Sequence, residues 1–189
     1  RGGVAPVWCM LRHALMYSIL AAQTAFAACP APPDIDAEEA RILASVREAP
    51  TETDARLLTN ELWALWATAP DELAQELLDR GMRARASFDF LSAIDAFDRL
   101  VDYCPDYAEG YNQRAFVSFL REDYDAALVD LDRALERRPT HVAALAGKAM
   151  TLMGLGRHDE AQDALRAAVE MNPWLPERGL LRTPTGKDL

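Results

Sequence analysis

Three prolines, Pro105, Pro139 and Pro173, stand 34 residues apart. Such a fixed spacing means that one supersecondary unit recurs, because a unit of this size cannot bury its apolar face alone and must stack on its neighbours. When each proline is taken as position 32, the units begin at Ala74, Ala108 and Val142, and their other positions align. Position 8 is small (Gly81, Ala115, Ala149), position 20 is Ala throughout (Ala93, Ala127, Ala161) and position 24 is bulky (Phe97, Leu131, Leu165). Position 27 is Leu100, Ala134 and Ala168; position 4 is Leu77, Tyr111 and Leu145; position 17 is Phe90, Tyr124 and His158.

Each unit reads as a pair of helices. Over Asp123–Arg137 the apolar residues Tyr124, Ala127, Leu128, Leu131, Ala134 and Leu135 recur at steps of three and four, which gathers them on one helical face. Asp125, Asp130, Asp132, Arg133 and Glu136 fall largely on the others. Small side chains at positions 8, 20 and 27 let two helices approach closely, and a neighbour's bulk fills the remaining gap. The proline at position 32 ends the second helix, and Gly154-Leu155-Gly156 supplies a tight turn between the helices of the third unit.

This pattern resembles the tetratricopeptide repeat family, with a small residue at 8, Ala at 20, a large apolar residue at 24 and Pro at 32. The resemblance covers residues 74–173 and departs from the family at position 7, where Arg80, Arg114 and Lys148 stand in place of Leu, and at position 11, which is Ala84, Ser118 and Leu152. It implies an all-α fold, a right-handed superhelical solenoid of antiparallel helix pairs, with repeats at 74–107, 108–141 and 142–175. It also implies a concave groove lined by the first helix of each unit. Carried over by position, the groove residues are Leu78, Met82 and Arg85, then Glu109, Asn112, Phe116, Phe119 and Leu120, then Met150 and Met153. The basic and Asn side chains with which some family members hold a C-terminal carboxylate are replaced by Leu78, Met82, Gln113, Ala143 and Gly147, so chaperone-tail binding does not transfer.

Upstream, Asp36–Val46 and Asp54–Thr68 read as two further helices, with a capping box at Thr51 and Asp54. Pro70 lies 35 residues before Pro105, so residues 36–73 form a helix pair that is either a degenerate fourth unit or a separate element. Its helices are expected either to leave the groove open or to fold across it. Trp63 and Trp66, one turn apart, are expected to pack in the core or between repeats, with an exposed aromatic contact as the alternative. Pro30, Pro32 and Pro33 make 28–35 a stiff linker, Trp174 and Leu175 are expected to cap the last helix, and 176–189 reads as a disordered tail.

Residues 1–27 contain Arg1 and Arg12 but no acid, and the run from Leu15 to Ala22 is apolar before Ala25-Phe26-Ala27. That order is the one found in a secretory signal peptide cleaved after Ala27, with Met10 a candidate start and residues 1–9 an upstream extension. Removing the leader takes the formal net charge from −10 to −12, since it holds two basic residues and no acids. Cys29 and Cys104 remain, and in an oxidising compartment they can bridge or stay as separate thiols. Phe26-Ala27-Ala28-Cys29 also resembles a bacterial lipobox, in which Cys29 would be lipidated and the protein would meet the membrane.

A chain with 30 acidic and 20 basic residues is a poor ligand for nucleic acid, which needs clustered Lys and Arg. No nucleophile with a base, phosphate loop or metal-ligand spacing is visible, so neither a cofactor nor a small-molecule substrate is expected. Asp123, Asp125, Asp130 and Asp132 read as a solvated helix face rather than a calcium loop, and His141 and His158 as packing residues. The reading is a non-enzymatic adaptor of the cell envelope, periplasmic or secreted, that binds a protein or peptide in its groove. Its alternative is a self-associating scaffold with no foreign ligand.

Overall fold

The computed structural model of the protein describes residues 2–3 and 28–182, so the leader apart from residues 2–3 and the last seven residues lie outside the described set. The described residues form eight α-helices: α1 Asp36–Glu48, α2 Glu52–Trp66, α3 Glu72–Ala86, α4 Phe90–Tyr103, α5 Ala108–Leu120, α6 Tyr124–Arg137, α7 Val142–Gly154 and α8 His158–Met171. A short 3-10 turn, Pro176–Leu180, follows. The fold is therefore all-α, and α3–α4, α5–α6 and α7–α8 are the three hairpins expected from the proline spacing.

Local chemistry starts the helices where they start. Asp71, Asp89 and Asp123 precede α3, α4 and α6, and each side chain accepts a hydrogen bond from the backbone N–H three residues on. Thr51 does the same for Asp54 at the head of α2. These caps satisfy donors that the first helical turn leaves without a partner.

The turns inside the hairpins share a geometry. Phe88 and Glu122 have φ of 61° and Gly156 has φ of 73°, so one residue in each repeat, 34 apart, occupies the left-handed region. Only the third repeat places glycine there. A left-handed conformation costs a non-glycine residue roughly 1–2 kcal/mol, while glycine loses about 0.5–1 kcal/mol in chain entropy. Glu122 is exposed, and Glu122→Gly is therefore expected to raise the unfolding free energy by about 0.5–1 kcal/mol, measured by urea denaturation with unchanged slope.

Packing between hairpins follows the small-residue positions. Ala93, Ala115, Ala127, Ala149 and Ala161 are fully buried, and a Cβ at Gly81 would lie 2.3 Å from the Phe97 ring. The departure at position 7 also has a physical role. Arg114 forms a two-pronged contact with Asp130 on α6 through Nε and Nη2, both at 2.7 Å, and reaches Asp98 on α4 at 2.7 Å. Lys148 reaches Asp132 on α6 at 2.6 Å. Ion pairs thus stand within a hairpin (Arg114–Asp130) and between hairpins (Arg114–Asp98, Lys148–Asp132) where family members carry leucine, and Asp130 and Asp132 are occupied as counter-ions. Among the described residues no cluster of three or more His, Cys, Asp or Glu side chains could hold a metal ion.

The first helix pair does not continue the stack. The contacts that join α4 to α5 and α6 to α7 have no counterpart of that extent between α2 and α3. Instead Ile42, Leu43, Val46, Leu62 and Trp66 form one buried cluster with Val142, Ala146, Ala168 and Leu175. The hairpin α1–α2 folds back over the far half of the solenoid, and its apolar face is covered by α7, α8 and the segment after them. Trp174 packs on this shared cluster.

The ends of the hairpin are tied down. Asn172 Nδ2 donates to Thr59 at 3.3 Å, Arg178 pairs with Glu52 at 3.3 Å, and the Tyr107 hydroxyl donates to the Trp66 carbonyl at 2.7 Å. Cys29 and Cys104 are joined in a disulfide whose Cα atoms are 5.1 Å apart. The start of the expected disordered tail is built into the fold as well, since Gln162 bonds the Leu180 carbonyl at 3.1 Å and accepts from the Arg182 N–H at 2.7 Å.

Candidate functional site

The first helices of the three repeats, α3, α5 and α7, line one concave face, and α2 crosses it. Between them lies a cavity of about 870 Å³. Its walls are Trp63 from α2, Met82 and Arg85 from α3, Phe116 and Phe119 from α5, and Met150 from α7. Trp63 is 38% exposed and Phe116 44% exposed, so the cavity opens to solvent at an aromatic rim.

The residues expected in the groove divide four ways. Met82, Arg85, Phe116, Phe119 and Met150 line the cavity together. Leu78 does not: it is wholly buried in the core with Ala93, Phe97 and Leu100, because the inward turn of α3 points it at α4. Leu120 is exposed at 41% and Met153 is half-buried, and both stand outside the cavity lining. Glu109 and Asn112 border the cavity, but they are 1% and 5% exposed and are engaged with other protein groups.

Those groups form a buried polar network that sequence reasoning missed. Glu109 accepts from Asn112 Nδ2 at 2.9 Å, from Gln113 Nε2, and from His141 Nε2 at 2.8 Å. His141 Nδ1 accepts the Ala144 backbone N–H at 3.2 Å, capping α7. With Nδ1 accepting that bond, Nε2 is the nitrogen that faces Glu109, and the ring bridges the N-terminus of α7 and the carboxylate. The Trp66 ring stacks on His141 with centroids 4.1 Å apart. Trp66 Nε1 then donates to Glu39 at 2.6 Å, and Glu39 also accepts from Arg138 at 2.7 Å and Thr140 at 2.8 Å. The network therefore runs from the floor of the groove, through Trp66, into α1. His141 and Glu109 are enclosed, so they position helices and offer no reacting atoms to a substrate.

At the other end of the floor, Arg85 Nη1 donates to Gln113 Oε1, and its guanidinium lies over the Phe116 ring at 4.7 Å. Burial pulls this guanidinium below its ordinary value, with the Glu109 charge opposing. Arg85 makes no ion pair among the described residues.

A stack of antiparallel helix hairpins whose first helices line a concave, aromatic-rimmed surface defines a helical-repeat fold. Residues 118–174 match the family model described as Tetratricopeptide repeat. Over that stretch the chain is similar to the tetratricopeptide repeat family. It is 40% identical over 73 residues to Tetratricopeptide repeat protein 36 homolog of Nematostella vectensis, covering 39% of this chain and 40% of that one. It is 34% identical to Tetratricopeptide repeat protein 36 of Xenopus tropicalis, over 52% of this chain and 50% of that one. The chain thus spans about half the length of the curated relatives it matches. Among solved structures, the TPR2B-domain:pHsp70-complex of yeast Sti1 aligns with a TM-score of 0.52 at 25% identity, over 53% of this chain and 81% of that one. The Arabidopsis OM64 TPR domain aligns with a TM-score of 0.56 at 18% identity, over 58% and 90%, a likeness of fold.

Proposed function

We propose that this protein is a non-enzymatic adaptor of the cell envelope that docks a protein or peptide partner on the open rim of its concave face. The observation that carries the reading is the aromatic rim itself: Trp63 and Phe116, both partly exposed, stand over an apolar cavity on the face where the repeats' first helices converge. Exposed apolar surface of this kind is costly in water and marks an interaction site. Relatives support the class, among them the Hsp70/Hsp90 co-chaperone cns1 of Schizosaccharomyces pombe, 31% identical over 55% of this chain and 30% of that protein. The partner chemistry differs from that of a carboxylate-clamping groove, because Leu78, Met82 and Gln113 occupy the first two repeats and Leu78 is buried.

Export from the cytoplasm is part of the proposal. It rests on the leader pattern in residues 1–27 and is supported by the Cys29–Cys104 disulfide, a bond that persists in oxidising compartments. No helix among the described residues is long and apolar enough to cross a membrane.

The test is comparative capture from an envelope extract with wild type and Phe116→Asp. Because Phe116 is 44% exposed, the variant should keep its helicity by circular dichroism while losing the specific partner. Captures that are identical between the two proteins would remove the rim as the docking site. A second reading, self-association, draws on the exposed Leu73, Phe88 and Leu91 of the first repeat, the end on which no preceding hairpin is stacked. It requires the mass in sedimentation to rise with concentration for the purified protein.

A further inference from the structure

We propose that the cavity beneath α2 binds a small amphipathic carboxylate, an unbranched acyl chain lying against Met82, Phe116, Phe119 and Met150 with its carboxylate on Arg85. This goes beyond the adaptor reading, since it assigns a small-molecule ligand to the interior of the groove rather than a protein to its rim.

Size, wall chemistry and charge converge on that ligand class. The cavity, about 870 Å³, lies within the range of roughly 300–1,000 Å³ typical of small-molecule sites. Its walls are helices whose backbone N–H and C=O groups are spent in their own ladders, so they offer an extended peptide almost nothing for its amides. Burying those amides without partners is unfavourable, whereas a hydrocarbon chain brings no polar groups that need one. The polar side chains bordering the cavity are likewise engaged: Asn112 and Gln113 with Glu109, and Thr59 with the Ala55 carbonyl and Asn172.

Arg85 differs from Asn112, Gln113 and Thr59. A guanidinium has five donors, and of these one is used, on Gln113. The nearest acid, Glu109, lies behind Gln113 and spends its oxygens on Asn112, Gln113 and His141. A half-buried cation beside an apolar cavity, resting on the Phe116 face and lacking an ion pair among the described residues, is complementary to one negative charge on an apolar body.

The other end of the cavity sets the ligand's direction. Glu177, which follows the third repeat, has a buried carboxylate oxygen with no hydrogen-bond partner, so a second carboxylate there would meet like charge. Arg56 also borders this end but is exposed, and water screens it. The fully buried Thr151 hydroxyl, which borders the cavity, has no partner within the protein either.

The test uses the full, oxidised, delipidated chain and dodecanoate below its micelle concentration, followed by titration calorimetry and by the fluorescence of Trp63. Saturable binding with one dodecanoate per chain is expected. Arg85→Gln should weaken it about tenfold or more, as expected for loss of a charge-assisted contact, while Arg56→Gln should change it less than about twofold. Dodecan-1-ol should bind wild type at least about tenfold more weakly than dodecanoate, and Arg85→Gln should erase that preference. A melting temperature for Arg85→Gln equal to wild type shows that the variant is folded. Uptake of several molecules per chain, equal affinity for acid and alcohol, or tighter binding of an N-acetylated apolar tripeptide than of dodecanoate would each overturn the proposal. Because only the purified chain and a pure ligand are present, such a failure leaves the capture of a protein partner untouched.

Discussion

Breaking the Cys29–Cys104 bond is expected to lower the unfolding free energy by about 4 kcal/mol, the chain-entropy value for closing a loop of this length. The two residues are 75 apart in sequence, so the bond closes off the linker, α1, α2, α3 and α4 in one loop. The effect is large for a second reason. The hairpin α1–α2 reaches the solenoid's far half by a short proline-rich linker, and the disulfide fixes where that linker begins, against the end of α4. Cys104 is 2% exposed and packs with Tyr107, whose hydroxyl holds the Trp66 carbonyl. Reduction therefore loosens one end of the roof over the cavity as well as enlarging the unfolded ensemble. Urea denaturation of the oxidised protein, the reduced protein and a Cys29→Ala, Cys104→Ala variant checks this. A change below about 1 kcal/mol, under a quarter of the entropic value, would mean that the unfolded chain is already constrained.

Glu109→Ala is expected to cost about 3 kcal/mol or more, because each buried donor left without an acceptor costs roughly 1–3 kcal/mol. The carboxylate is 1% exposed and satisfies three donors, on Asn112, Gln113 and His141. Removing it leaves these donors buried without acceptors, which penalises the folded state alone. The loss extends along the network. His141 caps α7 and stacks on Trp66, so a ring released from Glu109 weakens both the start of α7 and the seat of α2. Glu109→Gln keeps one acceptor oxygen and should cost visibly less. Denaturation of both variants, with near-ultraviolet circular dichroism to follow the Trp66 environment, separates the outcomes. Equal losses for Ala and Gln would show that the carboxylate charge matters more than the acceptor count.

The repeat was legible in the sequence because stacking hairpins impose the same steric demand every 34 residues. Gly81, Ala93, Ala115, Ala127, Ala149 and Ala161 are small for that reason, and the aspartates before α3, α4 and α6 are caps that depend only on neighbouring backbone. The three hairpins and their boundaries to within a few residues follow from such local rules, while the side of the groove that carries Met82, Phe116, Phe119 and Met150 was implied by the family resemblance. Leu78 was misplaced because positional analogy assigns a face without the neighbour that fills it, here the α4 core with Phe97. The residues of the polar network each looked unremarkable along the chain: His141 lies 32 residues from Glu109, and Glu39 lies 99 from Arg138.

What the sequence determined by itself was the unit and its stacking, since both arise from contacts between residues in the same or the next repeat. Only the tertiary structure decided where α1–α2 goes. Its apolar face could have met α3 as a fourth repeat does or, as it does here, Val142, Ala146, Ala168 and Leu175 more than 70 residues away. That choice rests on a disulfide, a stacked Trp66–His141 pair and a carboxylate shared with Arg138 and Thr140. No repeat pattern encodes such contacts, because each of them occurs once in the chain.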